Sequence, residues 1–289
     1  MATLIDGKAI AQQIQGEVLT DVERLRRERG VVPGLTVVLV GDDPASKTYV
    51  SNKARVSTKL GMNSTVEALA ADAPESRVLS LIERLNADSA VHGILVQLPL
   101  PPHINAGRVL QLLDPRKDVD GLHPFNIGLL CAGTPRFIPC TPFGICELLA
   151  RSGVAVAGRE VVVVGRSNLV GRPLSVLLSS KSKFGDATVT VCHSRSANLR
   201  DICRRAEILV VAIGRPRFVT GNMIRPGAVV IDVGTHPAAG PDGKMCGDVE
   251  FESAFPVASM LTPVPGGVGP MTIAMLMRNT VNAAIAQAS

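Results

Sequence analysis

The sequence predicts an α/β protein of two domains, each built on a parallel sheet. Three observations carry this. Strand-like apolar runs alternate with helix-like amphipathic segments almost from end to end. The runs are rich in β-branched residues and stop at Gly or Pro, as buried parallel strands do. The length, 289 residues, corresponds to about two domains at roughly 150 residues each, enough to bury a core without disulfides or metal.

The elements follow in order. Ile10, Ile14, Val18, Val22 and Leu25 recur at helical spacing after Asp6, the expected N-cap. Leu35–Val40 is a β-branched run ending in Gly41 and reads as a buried strand. Ser46 is expected to cap the next helix, over residues 46–60, and Val78, Leu79, Ile82 and Leu85 form another helical face. Gly93–Leu98 is a second buried strand, stopped by Pro99. This β-α-β order predicts a parallel sheet with helices on both faces. A second series begins after the loop at 133–142. Val161–Val164 is a strand, followed by a Gly-rich turn and a helix near 170–180. Further strands read at 187–192, 208–212 and 228–232, a dinucleotide-fold pattern. A long helix from Met271 to Ala286 follows the loop Pro263–Pro270.

Composition narrows the function classes. A hydrophobic share of 46% and a charged share of 19% exclude disorder as the main state. No apolar run approaches the roughly 18 residues that span a bilayer, and the N-terminus reads as mature structure, without a signal peptide. The net charge of +5 comes from scattered Lys and Arg, and the chain has no Trp and one Tyr. That leaves little stacking surface for single-stranded nucleic acid; a small anionic substrate or cofactor fits the bias better. The six Cys form no CxxC pair, and with five scattered His give no zinc spacing. No metal site is expected, and reduced thiols in a cytoplasm fit best.

Four constellations could carry chemistry. Tyr49 and Lys53 lie four apart on the helix that follows a buried strand, so both side chains share a face. A buried Lys has a lowered pKa and could act as an acid or base near neutral pH; alternatively, Lys53 snorkels to water from an ordinary amphipathic helix. Gln97 interrupts an apolar strand and needs hydrogen-bond partners, from a catalytic side chain, a ligand or local backbone. In Asp114–Gly121, Asp118 and Asp120 have i, i+2 spacing but lack the further oxygens of a calcium loop. Asp120 could accept paired N–H donors from a planar heterocycle, or the loop is a solvated turn. Last, Val161–Pro173 runs from a strand through Gly165 to Gly171 at a helix start, the logic of a phosphate-binding turn. The next strand ends in Cys192-His193-Ser194-Arg195, where an NAD site would place an acid. Arg166, Ser194 and Arg195 suit a 2′-phosphate instead; a domain of this type without dinucleotide is the alternative.

Together these stretches resemble the methylenetetrahydrofolate dehydrogenase/methenyltetrahydrofolate cyclohydrolase (FolD) family. The matching segments are SKTYVSNK (46–53), GILVQLPLP (93–101), KDVDG (117–121), PCTPFG (139–144), GRSNLVGRP (165–173), VIDVG (230–234), GDV (247–249) and TPVPGGVGPMT (262–272). Each is modest alone; in order across nearly the whole chain they are specific.

The resemblance implies an N-terminal folate-binding α/β domain of residues 1–138, joined by a returning C-terminal helix of residues 272–289. A Rossmann-type NADP domain of residues 139–271 follows, with folate and nicotinamide face to face between the two. It implies NADP-dependent oxidation of 5,10-methylenetetrahydrofolate, hydrolysis to 10-formyltetrahydrofolate, and a homodimer packed through the cofactor domains. Lys53 matches the catalytic lysine, Tyr49 the tyrosine that lines the folate ring and Gln97 the glutamine bonded to the lysine. Asp120 matches the aspartate that binds the pterin, and Pro265, Gly266 and Gly267 lie in the loop beside the folate. Gly165, Arg166 and Ser167 match the cofactor turn, with Ser194 and, by spacing, Arg195 near the 2′-phosphate. Thr235 stands where many members carry Ile. A dehydrogenase lacking cyclohydrolase activity is the rival of the same fold, and intact Tyr49, Lys53 and Gln97 argue against it. A non-catalytic NADP-binding module is the rival from another class.

Overall fold

The structure, a computed structural model, describes residues 1–237, 239, 240 and 243–288. The chain forms two compact units: Gln13–Cys140 with Ile273–Ser289, here the first unit, and Met1–Gln12 with Thr141–Thr272, the second.

Strand β1 (Thr3–Leu4) precedes helix α1 (Gly7–Arg29). Asp6 caps this helix as expected, its Oδ1 accepting the Ala9 N–H at 2.9 Å. The first unit then contains β2 (Gly34–Val40), α2 (Pro44–Lys59), β3 (Asn63–Leu69), α3 (Glu75–Ala87), β4 (Gly93–Val96), α4 (Ala106–Leu112) and α5 (Pro124–Cys131). Its sheet is parallel in the order β3-β2-β4. Every residue of β2 and β4 is buried, which is why both read as continuous apolar runs. Val38, Ile82, Ile94 and Val109 form the core between that sheet and α3 and α4.

The α2 cap differs from the expectation. Asp43, not Ser46, is the N-cap, and its Oδ2 accepts the Ser46 N–H at 2.7 Å. The helix starts earlier because Pro44 occupies its first turn, where a missing N–H leaves nothing unsatisfied.

The second unit contains α6 (Cys140–Arg151), β5 (Glu160–Val164), α7 (Gly171–Ser179), β6 (Thr188–Cys192), α8 (Leu199–Cys203), β7 (Ile208–Val211), β8 (Val229–Asp232), α9 (Phe251–Ala254), β9 (Met260–Leu261) and the start of α10 (Val268–Gln287). Its parallel sheet runs β1-β9-β8-β7-β5-β6. The strands after β5 go first to one side of it and then to the other, so the order reverses between β5 and β7. That switch opens a crevice at the carboxyl ends of these two strands, the place where such sheets bind ligands. Val162, Leu209 and Val230 lie in its core.

Residues 1–12, placed with the first domain on sequence, belong instead to the second unit's sheet. Thr3 and Leu4 pair with Met260 and Leu261, and the Ile5 N–H reaches the Leu261 carbonyl at 3.0 Å. A two-residue strand leaves no periodicity to read. The other change of unit falls at Cys140, two residues beyond the expected boundary at 138. Ile273–Ser289 groups with the first unit.

Candidate active site

The candidate residues fall into two clusters, one at the carboxyl ends of each sheet. In the first unit, α2 follows the central strand β2 and carries Tyr49 and Lys53, while Gln97 directly follows β4. The Gln97 N–H continues the ladder to the Val38 carbonyl at 2.9 Å, which fixes its backbone. Its side-chain Nε2 donates to the Leu98 carbonyl at 2.7 Å. The amide is thereby oriented, and Oε1 accepts from Lys53 Nζ at 2.8 Å. Lys53 is 8% exposed. Burial pushes its pKa below the usual lysine range, against the opposing pull of the Asp120 carboxylate. The structure thus brings together Lys53, Gln97 and Asp120. Tyr49, one turn before Lys53, is 37% exposed, an open aromatic face beside the lysine.

The Asp120 loop is built by neighbours with weak sequence signals. The Ile94 N–H of β4 donates to the Lys117 carbonyl at 2.7 Å. Asp118 is buried and accepts from Leu122 N, His123 N and Asn126 Nδ2; it is a turn-former rather than a ligand. Asn279 on α10, 2% exposed, donates to the Val119 carbonyl at 2.9 Å and the Ile138 carbonyl at 3.0 Å. Cys140 is buried, and burial together with the adjacent Asp120 carboxylate holds its thiol protonated. Asn279 and Cys140 were not among the expected site residues, and an Asn in an apolar helix was the available signal for the first.

The second cluster lies at the carboxyl ends of β5, β6, β8 and β9. Gly165 ends β5 with φ +135°, and a Cβ there would lie 2.1 Å from the Ala212 carbonyl oxygen. Only glycine fits that approach. Gly171 opens α7, and a Cβ on it would meet the Gly165 carbonyl oxygen at 2.1 Å. Between them, Ser167 Oγ accepts the Val170 N–H at 3.1 Å. The Gly165 N–H donates to the Cys192 carbonyl at 2.8 Å, so the turn holding Arg166 lies beside the loop holding Ser194 and Arg195. Arg166, Ser194 and Arg195 are exposed, and neither guanidinium has an acidic partner among the described residues. A close glycine turn on a nine-residue helix, beside unpaired cations and no acid, fits a dinucleotide carrying a 2′-phosphate.

Thr235 is exposed just after β8. Pro265, Gly266 and Gly267 follow β9; Gly266 has φ +107°, and a Cβ on Gly267 would lie 2.6 Å from the Pro263 carbonyl oxygen. Two buried acids tie these loops. Asp232 accepts from Gly234 N, Asp248 N and Val249 N, each at 2.9 Å. Burial nevertheless pushes its carboxyl up to about 7.

Residues 5–120 match the family described as tetrahydrofolate dehydrogenase/cyclohydrolase, catalytic domain, and residues 139–288 the NAD(P)-binding domain of the same family. The bifunctional protein FolD of Syntrophobacter fumaroxidans is 53% identical over 285 residues, covering 98% of this chain and 97% of that protein. The crystal structure of the bifunctional FolD methylenetetrahydrofolate dehydrogenase/cyclohydrolase from Campylobacter jejuni superposes with a TM-score of 0.93 at 43% identity, covering 99% of each chain. The Trypanosoma brucei N5,N10-methylenetetrahydrofolate dehydrogenase-cyclohydrolase, complexed with NADP cofactor and inhibitor, gives 0.93 at 41%, covering 99% of this chain and 98% of that one. With two family domains matched in order and a likeness that runs nearly end to end, the chain belongs to the tetrahydrofolate dehydrogenase/cyclohydrolase family.

Proposed function

We propose that this chain is a bifunctional enzyme that oxidises 5,10-methylenetetrahydrofolate with NADP⁺ and hydrolyses the resulting 5,10-methenyltetrahydrofolate to 10-formyltetrahydrofolate. The observation that carries the second activity is the buried Lys53 ammonium nitrogen on Gln97 Oε1 at 2.8 Å. NADP⁺, when bound, supplies the hydride acceptor. Gly165 and Ser167 would hold its phosphates, Ser194 together with Arg166 or Arg195 would hold its 2′-phosphate, and the Thr235 backbone would border it. For the first step the chain supplies alignment rather than a base.

Hydrolysis requires more of the side chains. Water must add to the methenyl carbon and lose a proton, and the bond from that carbon to N5 must then break as N5 takes up a proton, leaving the formyl group on N10. With its pKa lowered by burial, Lys53 accepts the proton of the water at Nζ. Gln97 orients the amine through its fixed amide. Asp120 accepts N–H donors of the pterin ring and Tyr49 lines its face; the family resemblance adds Pro265, Gly266 and Gly267 as substrate-binding residues. Asp120 also draws Lys53 toward the charged form, so substrate that takes up the carboxylate favours the neutral amine. A dehydrogenase without hydrolase activity is disfavoured by the intact Lys53–Gln97 pair.

No helix among the described residues is long and apolar enough to cross a membrane. The proposal places the protein in the cytoplasm, as a homodimer packed through the second unit and free of nucleic acid. A two-step spectrophotometric assay tests it. NADPH should appear on addition of methylenetetrahydrofolate, and methenyl absorbance should then decay. NADPH without that decay would leave only the dehydrogenase.

A further inference from the structure

Asp248 lies in the GDV segment, to which the proposed chemistry assigns no role. It is fully buried, so its carboxylate must be satisfied by donors on every side. Its Oδ2 accepts the N–H of Ile213 at 2.7 Å and of Gly214 at 2.9 Å. Its Oδ1 is bonded to His236 Nε2 at 2.7 Å, the one donor to that oxygen among the described residues. The His236 backbone is itself fixed by a two-way bridge to Cys246, at 2.9 and 3.1 Å.

The segments joined here border the proposed dinucleotide site. Ile213 and Gly214 follow β7, and Ala212 is the residue against which Gly165 packs. They are the lip of the crevice opposite the Gly165 turn. Thr235 has both of its chain neighbours on the same carboxylate. His236 bonds to it, and Gly234 packs so closely that a Cβ would lie 2.5 Å from Asp248 Oδ1.

We infer that His236 is a positioning residue for dinucleotide binding, orienting Asp248 so that one carboxylate sets both the 213–214 lip and the Thr235 backbone. The ring donates Nε2–H to a charged acceptor, a strong hydrogen bond. Without it Oδ1 has no donor among the described residues, the carboxylate is free to turn, and both loops lose a common anchor. The inference rests on the proposed function for the identity of the ligand, and it assigns the binding geometry to a residue outside the expected site.

The test compares the full-length wild type with His236→Leu and His236→Gln. NADP dissociation constants are read by calorimetry, unfolding by circular dichroism, and methenyltetrahydrofolate hydrolysis in the absence of dinucleotide. His236→Leu should weaken NADP binding at least roughly tenfold, as expected for losing a hydrogen bond to a charge, with hydrolysis within about twofold of wild type. The Gln amide can donate to the same oxygen, so His236→Gln should bind within about threefold of wild type. NADP binding unchanged in His236→Leu would overturn the positioning role, as would equal losses of binding and hydrolysis or a failure of Gln to rescue. If His236→Leu does not fold, His236→Asn takes its place, with a loss of roughly threefold or more expected from its shorter reach and unchanged binding overturning the role. Wild type that itself failed to bind NADP would overturn the proposed function and the positioning role with it.

Discussion

Replacing Gln97 with Glu should move the pH dependence of hydrolysis to higher pH. The substitution keeps the size of the side chain and places a full negative charge where Oε1 now lies, 2.8 Å from Lys53 Nζ. At that separation two unit charges attract by about 1.5 kcal/mol at the dielectric of water and by about 6 kcal/mol at an effective dielectric of 20. One pH unit corresponds to about 1.4 kcal/mol, so these limits are shifts of roughly one and four units. Gln97 Nε2 also donates to the Leu98 carbonyl, which a carboxylate cannot do. Facing two oxygens toward each other costs about 1–3 kcal/mol and turns the new group partly away, so roughly one to two units is expected. The sign follows from the chemistry. Hydrolysis uses neutral Nζ, burial favours that neutral form, and a carboxylate favours the ammonium. The acid limb of the rate profile therefore moves up, and below it the rate falls about tenfold per unit. The assay is methenyl decay across pH 5–10 at saturating substrate, with NADP affinity as control. An unmoved acid limb would refute Lys53 as the titrating base.

Lys53→Met should lower hydrolysis by at least about 10²–10⁴-fold and leave NADP affinity, measured by calorimetry, near wild type. The same variant should melt no lower than wild type near neutral pH. The folded lysine binds its proton less tightly than the unfolded one, so wild-type stability climbs with pH between the lowered value and the ordinary 10.5; Met has no such slope, and melting curves against pH would show it. Arg166→Ala and Arg195→Ala should each be tested for kcat/KM with NADP and NAD. The residue facing the 2′-phosphate should lose roughly 10–150-fold in NADP preference, and unchanged ratios in both would refute the phosphate site. Asn279→Ala should destabilise the fold by about 1–3 kcal/mol, since one buried and one partly buried carbonyl lose a donor, and denaturant titration would measure it; hydrolysis should fall more than NADP affinity.

The elements legible in the sequence were those whose burial is written locally. β2, β4 and β7 are buried along their length, and β5 from Val161 onward, so each appears as an apolar run. β3 escaped because NSTVEAL has no such run: it is an edge strand, partly exposed, and holds its place by pairing seven residues with β2. β1 and β9 escaped because a two-residue strand exists through its partner alone. The same division runs through the candidate site. Lys53 and Gln97 carry costly polar groups inside apolar surroundings and stand out. Asp120 is legible as a carboxylate, whereas Asn279, which anchors its loop from far along the chain, is not. Asp248 was visible as part of a family segment, but its hold on Ile213, Gly214 and His236 depends on three loops meeting, which no spacing encodes.

The anchoring of the Asp120 loop by Asn279 also sets an order of events during synthesis. The first unit is interrupted by Thr141–Thr272. When Cys140 has been translated, Val119 and Ile138 still lack the donor that satisfies their carbonyls. At roughly 5–20 residues per second, the interruption lasts about 7–26 s. All six strands of the second unit's sheet, β1 and β5 through β9, have been synthesised once Thr272 is reached. The lysine-bearing unit finishes only with the last helix. The dinucleotide half of the chain thus has every strand of its sheet synthesised before the hydrolytic half receives the helix residue that anchors its Asp120 loop.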